Sequence, residues 1–245
     1  MSHLYLDESL DLAAVRPGDA VELHGDEARH AVTVSRLRVG EQVSIGDGRG
    51  RVVRGPVTSA EPRRLAIEVE TVADEPAASP RLMLVQALAK GDRDELAVQA
   101  ATELGVDRIV PWSATRSVSR WEGPKAAEKG RARWASIVRE AVKQSLRARI
   151  PAVEPVASTR ELPGRLEGAR MLLLVPGAET PLSGIRPDGR DLALVVGPEG
   201  GMDPAEIDRL VEAGAEPVRL GDSVLRTSTA GPAAIAVLSV ALGRW

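Results

Sequence analysis

The sequence predicts an α/β protein, with a large parallel-sheet domain preceded by a small β-rich one. Three observations point there. Residues 15–72 hold short, Val-rich, moderately alternating runs separated by turns. Ala73–Pro80, ADEPAASP, is a break in composition. Beyond it, MLLLV (Met171–Val175) and LALVV (Leu192–Val196) are continuously apolar and stand among helical patterns. Alternation marks a strand with one buried face, and an unbroken apolar run marks one covered on both.

Taken in order, AVELHG, EQVSIGDGRG, RVVRGPVTSA and RLAIEVETV read as strands, with DEARHAVTVSRLR a short helix among them. Together they predict a small barrel over residues 1–72. Residues 73–80 read as a linker, and 81–245 as the second domain. There RLMLVQAL is a strand, DELAVQAATELG (Asp94–Gly105) a helix with a Gly stop, and DRIVPW a strand. Lys125 to about Leu146 is a long basic helix. After LALVV, Asp203 is a candidate N-cap, Pro204 suits the first turn, and Glu206 completes a capping box. Gly214 ends that helix, and EPVRL is a short strand. LGDSVLRTSTAGP then leads into an apolar last helix, Ala233 to Leu242.

Composition excludes several chemistries. The 245 residues contain no Cys, which removes disulfides, thiolate metal sites and Cys nucleophiles and fits a reducing cytoplasm. The three histidines, His3, His24 and His30, all lie in the first 30 residues. The rest of the chain holds neither a Ser-His-Asp triad nor a His/Cys metal site, and no metal is expected. The start, MSHLYLDESLDLAAV, lacks the pattern of a secretory leader. The longest apolar segment, Ala233–Leu242, is too short to span a bilayer. A soluble protein with no membrane partner is expected. The net charge of −3 is uneven, because residues 81–150 carry a basic surplus between two acidic stretches. Such a surplus suits a polyanion at one face, or a solvated helix.

Two loops and one helix carry the candidate chemistry. Gly197-Pro198-Glu199-Gly200-Gly201 follows an apolar strand and precedes a helix, the position at which α/β sheets bind ligands. It matches neither the dinucleotide fingerprint nor a phosphate-binding P-loop, and Glu199 would oppose a phosphate. An adenosine or amino-acid ligand read by main-chain groups suits it, as does a tight turn capping a helix. The run Leu220 to Ala230, LGDSVLRTSTA, again leads from strand to helix. Thr227, Ser228 and Thr229 can cap that helix. Arg226 opposes the macrodipole there and calls for a partner: Glu199, a phosphate or a substrate. In RARWASIVREAVKQSLRAR, Arg139, Lys143 and Arg147 recur along a helix with Gln144 and Ser145 beside them, as a phosphate-following stripe or a solubilising face.

LVVGPEGGM, LGDSVLRTSTA and EAVKQSLR in one chain resemble the RsmE family, 16S ribosomal RNA uridine-N3 methyltransferases of the SPOUT superfamily. GDEARHAVTVSRLRVGEQVSIGDGRG resembles that family's N-terminal PUA-like RNA-binding barrel. QALAKGDRDELAVQAATELGVDRIVPWSATRSV resembles the first strand-helix-strand of its methyltransferase domain. The resemblance implies a deep trefoil knot in the C-terminal domain and S-adenosylmethionine (SAM) bound in it. It implies a cofactor site at Leu174, Pro176, Val196, Gly197, Pro198, Glu199, Gly200, Gly201, Leu220, Gly221, Leu225, Arg226 and Thr227. The reaction it implies moves a methyl group to uracil N3. Arg226 would stabilise the developing anion, and Glu199 would order its loop or accept a proton. Arg139, Lys143, Gln144 and Arg147 would hold the RNA, helped by Arg29, Arg36 and Arg38 of the barrel. The implied substrate is 16S rRNA within the 30S subunit, and the implied assembly a homodimer formed in part by the last helix.

This chain departs from the family pattern twice. Ser228 stands where the family commonly has Glu. Leu146 stands where it often has Gly, which predicts an uninterrupted helix there. Three rival functions remain open: methylation of another RNA base, a non-catalytic RNA-binding module, and a nucleotide-dependent oxidoreductase that lacks the usual fingerprint.

Overall fold

Alternating apolar residues build the first sheet. The structure, a computed structural model, describes residues 4–245, so His3 lies outside the described residues. The chain divides into two compact units, Met1–Ala77 with Val142–Ile150, and Ala78–Ala141 with Pro151–Trp245. In the first unit lie β1 (Leu4–Leu6), β2 (Ala20–His24), β3 (Gln42–Gly46), β4 (Arg51–Glu61), β5 (Arg64–Glu68) and β6 (Thr71–Asp74). They pair in the order β1-β3-β4-β5-β2, with β6 also on β4. The long β4 serves three partners along its length, β3 and β6 near its start and β5 near its end, with a register shift between Val57 and Ser59. Val43, Ile45, Val53, Val57, Leu65 and Ile67 point inward and form a core with Tyr5, Leu12, Val21 and Leu23.

Three details of this unit differ from the sequence expectation. The segment after β2 is not one helix. Helix α1 (Gly25–Arg29) passes directly into a single π turn, His30–Val34. That turn holds the β-branched run Val32-Thr33-Val34, which crowds a regular α-helix. Residues 73 and 74, expected in a linker, are the end of β6. Residues 142–150, expected in the second domain, cluster with the first unit. They are held there in part by Lys143 Nζ, 3.1 Å from Glu27 Oε1.

The second unit is the parallel α/β sheet that the apolar pentapeptides predict. Its strands are β7 (Leu82–Ala87), β8 (Arg108–Ser113), β9 (Ala152–Val153), β10 (Ala157–Ser158), β11 (Arg170–Leu174), β12 (Leu192–Val196) and β13 (Glu216–Val218). The order is β10-β8-β7-β12-β11-β13, with β9 also on β8, and every pairing is parallel. β7 and β12 are buried at every position, as strands covered on both faces must be. The helices are α2 (Arg93–Glu103), α3 (Gly123–Ser145), α4 (Leu162–Arg165), α5 (Pro204–Glu212) and α6 (Thr227–Ala241). α5 opens with the expected capping box: Asp203 accepts from the Ala205 N–H and Glu206 from the Asp203 N–H. Because β12, β11 and β13 are parallel neighbours, the loops leaving their carboxyl ends emerge at one edge of the sheet.

Two helix ends correct the sequence reading. The last helix starts at Thr227, six residues before Ala233, so Pro232 lies inside it. Helix α3 does not run on without a break. It ends at Ser145, and Leu146 adopts φ +57°, the left-handed conformation a helix stop requires. The stop is set by hydrogen bonds from the Arg147 N–H to the Val142 carbonyl and from the Leu146 N–H to the Lys143 carbonyl. The left-handed turn therefore forms without the glycine that would ease it. Among the described residues, no helix is long and apolar enough to cross a membrane.

Candidate active site

At that sheet edge the two Gly-bearing loops face each other. They enclose a cavity of about 520 Å³. Its lining includes Leu174, Pro176, Val196, Gly197, Pro198, Glu199, Gly201, Leu220, Gly221, Leu225, Arg226 and Thr227. Of the residues expected at a cofactor site, only Gly200 is not among the lining; a Cβ there would point at Arg116 instead. A side chain at Gly197 would force Met202 to shift, because a Cβ would lie 2.8 Å from Met202 Cγ. The turn itself is closed by the Gly201 N–H donating to the Pro198 carbonyl at 2.9 Å, with Gly201 at φ +73°. Main-chain groups can thus stand directly at the cavity wall.

The opposite wall is irregular backbone. Among the described residues, the N–H and C=O groups of Leu220 to Leu225 make no hydrogen bond to the protein. Six residues of unpaired backbone beside a cavity present alternating donors and acceptors to whatever enters it. The loop is anchored at its end by Thr227. Its Oγ1 donates to the Gly197 carbonyl and accepts from Gln86 Nε2, both at 2.8 Å. The structure therefore gives Thr227 a side-chain role that differs from capping. Arg226, not Thr227, is the N-cap of α6, and no side chain caps that helix.

Glu199 and Arg226 do not pair with each other. Glu199 Oε1 accepts from the Lys90 N–H at 3.1 Å and lies 3.8 Å from the Arg93 guanidinium. Its carboxylate thus ties the Gly-rich loop to the start of α2, as an ordering group would. Arg226 is exposed at the cavity rim, and among the described residues its guanidinium makes no hydrogen bond or ion pair. The charge that opposes the α6 dipole is left for a ligand. Ser228 is half-buried beside it, and among the described residues its hydroxyl makes no hydrogen bond.

The cationic residues divide between the units. Arg29, Arg36 and Arg38 are exposed in the first, on α1 and after the π turn, with Arg36 at φ +56°. Gln144 is exposed and Arg147 half-buried at the end of α3, also in the first unit. Arg139 is half-buried in the second, 3.7 Å from Glu140. Lys143 is a correction: it is only 8 % exposed and its ammonium pairs with Glu27, so it presents no charge to an RNA. Sequence reasoning missed Gln86 and Arg93. Gln86 had a signal, being the one polar residue in the apolar run LMLVQA. Arg93 had none.

The RNA methyltransferase domain family matches residues 77–239, and the RNA methyltransferase PUA domain family residues 23–70. Ribosomal RNA small subunit methyltransferase E of Mycobacterium tuberculosis is 43% identical over 247 residues, covering 98% of this chain and 92% of its own. This chain belongs to the ribosomal RNA small subunit methyltransferase E family. The family's Bacillus subtilis member is 32% identical, with 88% of each chain covered. A crystal structure of the Neisseria gonorrhoeae member, bound to S-adenosyl methionine, superposes with a TM-score of 0.87 at 30% identity, covering 98% of both chains.

Proposed function

We propose that this protein transfers a methyl group from SAM to N3 of one uridine in the 16S rRNA of the small ribosomal subunit. The observation that carries the reading is the meeting of two loops, 196–201 and 220–227, across one cavity. The cavity fits the cofactor. Its volume of about 520 Å³ is that of a small-molecule site. The unpaired backbone of Leu220–Leu225 complements the donors and acceptors of an adenine edge, and Leu174, Val196 and Leu225 offer apolar cover. Bound SAM supplies an electrophilic methyl, and the protein supplies position and electrostatics.

The residues then divide the work. Gly197, Gly201 and Leu220–Leu225 hold the cofactor through main-chain groups, and Thr227 fixes the distance between the two loops. Glu199 orders the Gly-rich loop through Lys90 and Arg93. Arg226 faces the acceptor: uracil N3 becomes nucleophilic only on losing its proton, and a guanidinium beside it favours the anion. N3 lies on the pairing edge, so the base must leave its stack to reach the cavity. Arg29, Arg36, Arg38, Gln144, Arg139 and Arg147 grip the RNA backbone. With this reading go a barrel for the first unit, a trefoil knot around the cofactor, a homodimer, a cytoplasmic location and the assembled 30S subunit as substrate.

The test incubates the purified protein with methyl-labelled SAM and small subunits from cells lacking the modification, then digests the RNA to nucleosides. Label in N3-methyluridine is expected. Label in another nucleoside would replace the target base. No transfer with SAM still bound would point to another RNA. No transfer and no SAM binding would make GPEGG a structural turn and leave an RNA-binding module.

A further inference from the structure

A second cavity, of about 330 Å³, lies in the same unit beside the turn from β7 to α2. Lys90, Asp92, Asp94, Trp121, Gly130 and Trp134 are among its lining. It shares that turn with the first cavity: the Lys90 N–H donates to Glu199, and Arg93 lines the cavity on the other side.

The walls of the second cavity are preorganised. The half-buried Trp121 ring rests on α3 at Gly130, where any side chain would overlap it. It packs against the buried Trp134 in a T-shaped pair, with centroids 5.2 Å apart and planes at 76°. The ring is therefore fixed before a ligand arrives. Two of the carboxylates are spoken for: Asp94 accepts from the Ala89 and Glu95 N–H groups, and Glu95 is held by Arg133. Asp92 and Lys90 differ. Among the described residues, the Asp92 carboxylate makes no hydrogen bond, with the Arg133 guanidinium near enough to be attracted to it, and the Lys90 ammonium makes no ion pair. A fixed aromatic face, an open carboxylate and an open ammonium match the three parts of a nucleotide. The base stacks, its amino group donates, and its phosphate meets the cation.

We infer that this cavity receives a second nucleotide of the RNA, close to the methylated one, whose base carries an exocyclic amino group, stacks on Trp121 and donates to Asp92. The inference rests on the methyltransferase reading above, and one experiment separates the two. Steady-state methyl transfer to small subunits is measured for the wild type, Trp121→Leu, Trp121→Phe and Asp92→Ala, alongside SAM affinity by calorimetry. For Trp121→Leu, KM for the subunit rises about 5- to 100-fold, the range of a lost base–aromatic stack. kcat and SAM affinity stay within about twofold, since neither residue touches the first cavity. Trp121→Phe recovers most of the loss, and Asp92→Ala raises KM several-fold. If Trp121→Leu fails to fold, Asp92→Ala, with no side-chain hydrogen bond to lose, carries the test. An active wild type with subunit KM unchanged in the folded variants overturns the second site alone. A wild type that makes no N3-methyluridine overturns the methyltransferase reading and this one with it.

Discussion

Thr227 and Gly197 are joined by one hydrogen bond, from the Thr227 hydroxyl to the Gly197 carbonyl at 2.8 Å. The same hydroxyl accepts from Gln86, so its donor and acceptor capacity are both used in a buried position. The bond sets how far apart the two loops that line the cavity stand.

Replacing Thr227 by Val keeps the shape and removes both hydrogen bonds. It strands one N–H of the buried Gln86 amide, whose other bond to the Ala87 carbonyl remains, and the Gly197 carbonyl, which costs roughly 1–3 kcal/mol per group. Urea unfolding should show a loss of about that size, and SAM affinity by calorimetry should fall about tenfold. Thr227→Ser retains the hydroxyl and should bind SAM nearly as wild type. Equal SAM affinity in Thr227→Val and wild type would mean that the loops are held elsewhere.

Arg226→Ala should lower kcat about 100-fold, the usual effect of removing one charge-stabilising group, and leave SAM affinity unchanged. A guanidinium that favours the N3 anion lowers the pH at which that anion forms. Its removal should therefore move the rising limb of the pH–rate profile toward alkaline pH, which a purely structural role would not do. Full turnover in this variant would end the catalytic assignment.

Much of this arrangement was legible because it is local. LALVV and MLLLV announce buried parallel strands by composition alone. Asp203-Pro204-Ala205-Glu206 announces a helix start by spacing, and both Gly-bearing loops follow strands. What stayed hidden depends on residues far apart in the chain. Lys143 reads as one more cation in a basic stripe, and only Glu27, 116 positions away, reveals it as a buried ion-pair partner. Glu199 and Arg226 suggest a pair by charge, but Lys90 and Arg93 reach Glu199 instead. Likewise, Leu146 argues against a helix stop by its type. The stop forms regardless, closed by the Arg147 N–H on the Val142 carbonyl and the Leu146 N–H on the Lys143 carbonyl.

Leu146 offers a clean stability measurement. Its left-handed backbone costs a side-chain-bearing residue roughly 1–2 kcal/mol, and the residue is 52 % exposed, so only part of its burial is lost on removal. Leu146→Gly should stabilise the protein by about 1 kcal/mol in urea unfolding, after the larger chain entropy of unfolded Gly is set against the relieved strain. Leu146→Ala keeps the Cβ and should bring no such gain. A destabilised Leu146→Gly would show that the side chain, not the backbone, matters there.

The basic residues should separate into two kinds by experiment. Lys143 and Glu27 side chains are 7% and 13% exposed, and Glu27 also accepts from the Leu6 N–H. Removing the cation strands a carboxylate in a poorly solvated place, so Lys143→Met should cost about 3–5 kcal/mol of stability. It should leave the salt dependence of RNA binding unaltered under conditions where the variant is folded. Arg29, Arg36 and Arg38 are exposed, so their replacement by Gln should barely change stability. Each that meets a phosphate should instead lower the slope of log affinity against log salt by about one. Filter binding of labelled 16S rRNA between 50 and 300 mM salt, on the order of the usual range, resolves such a change. A slope unmoved by the triple replacement would make these arginines a solvated face.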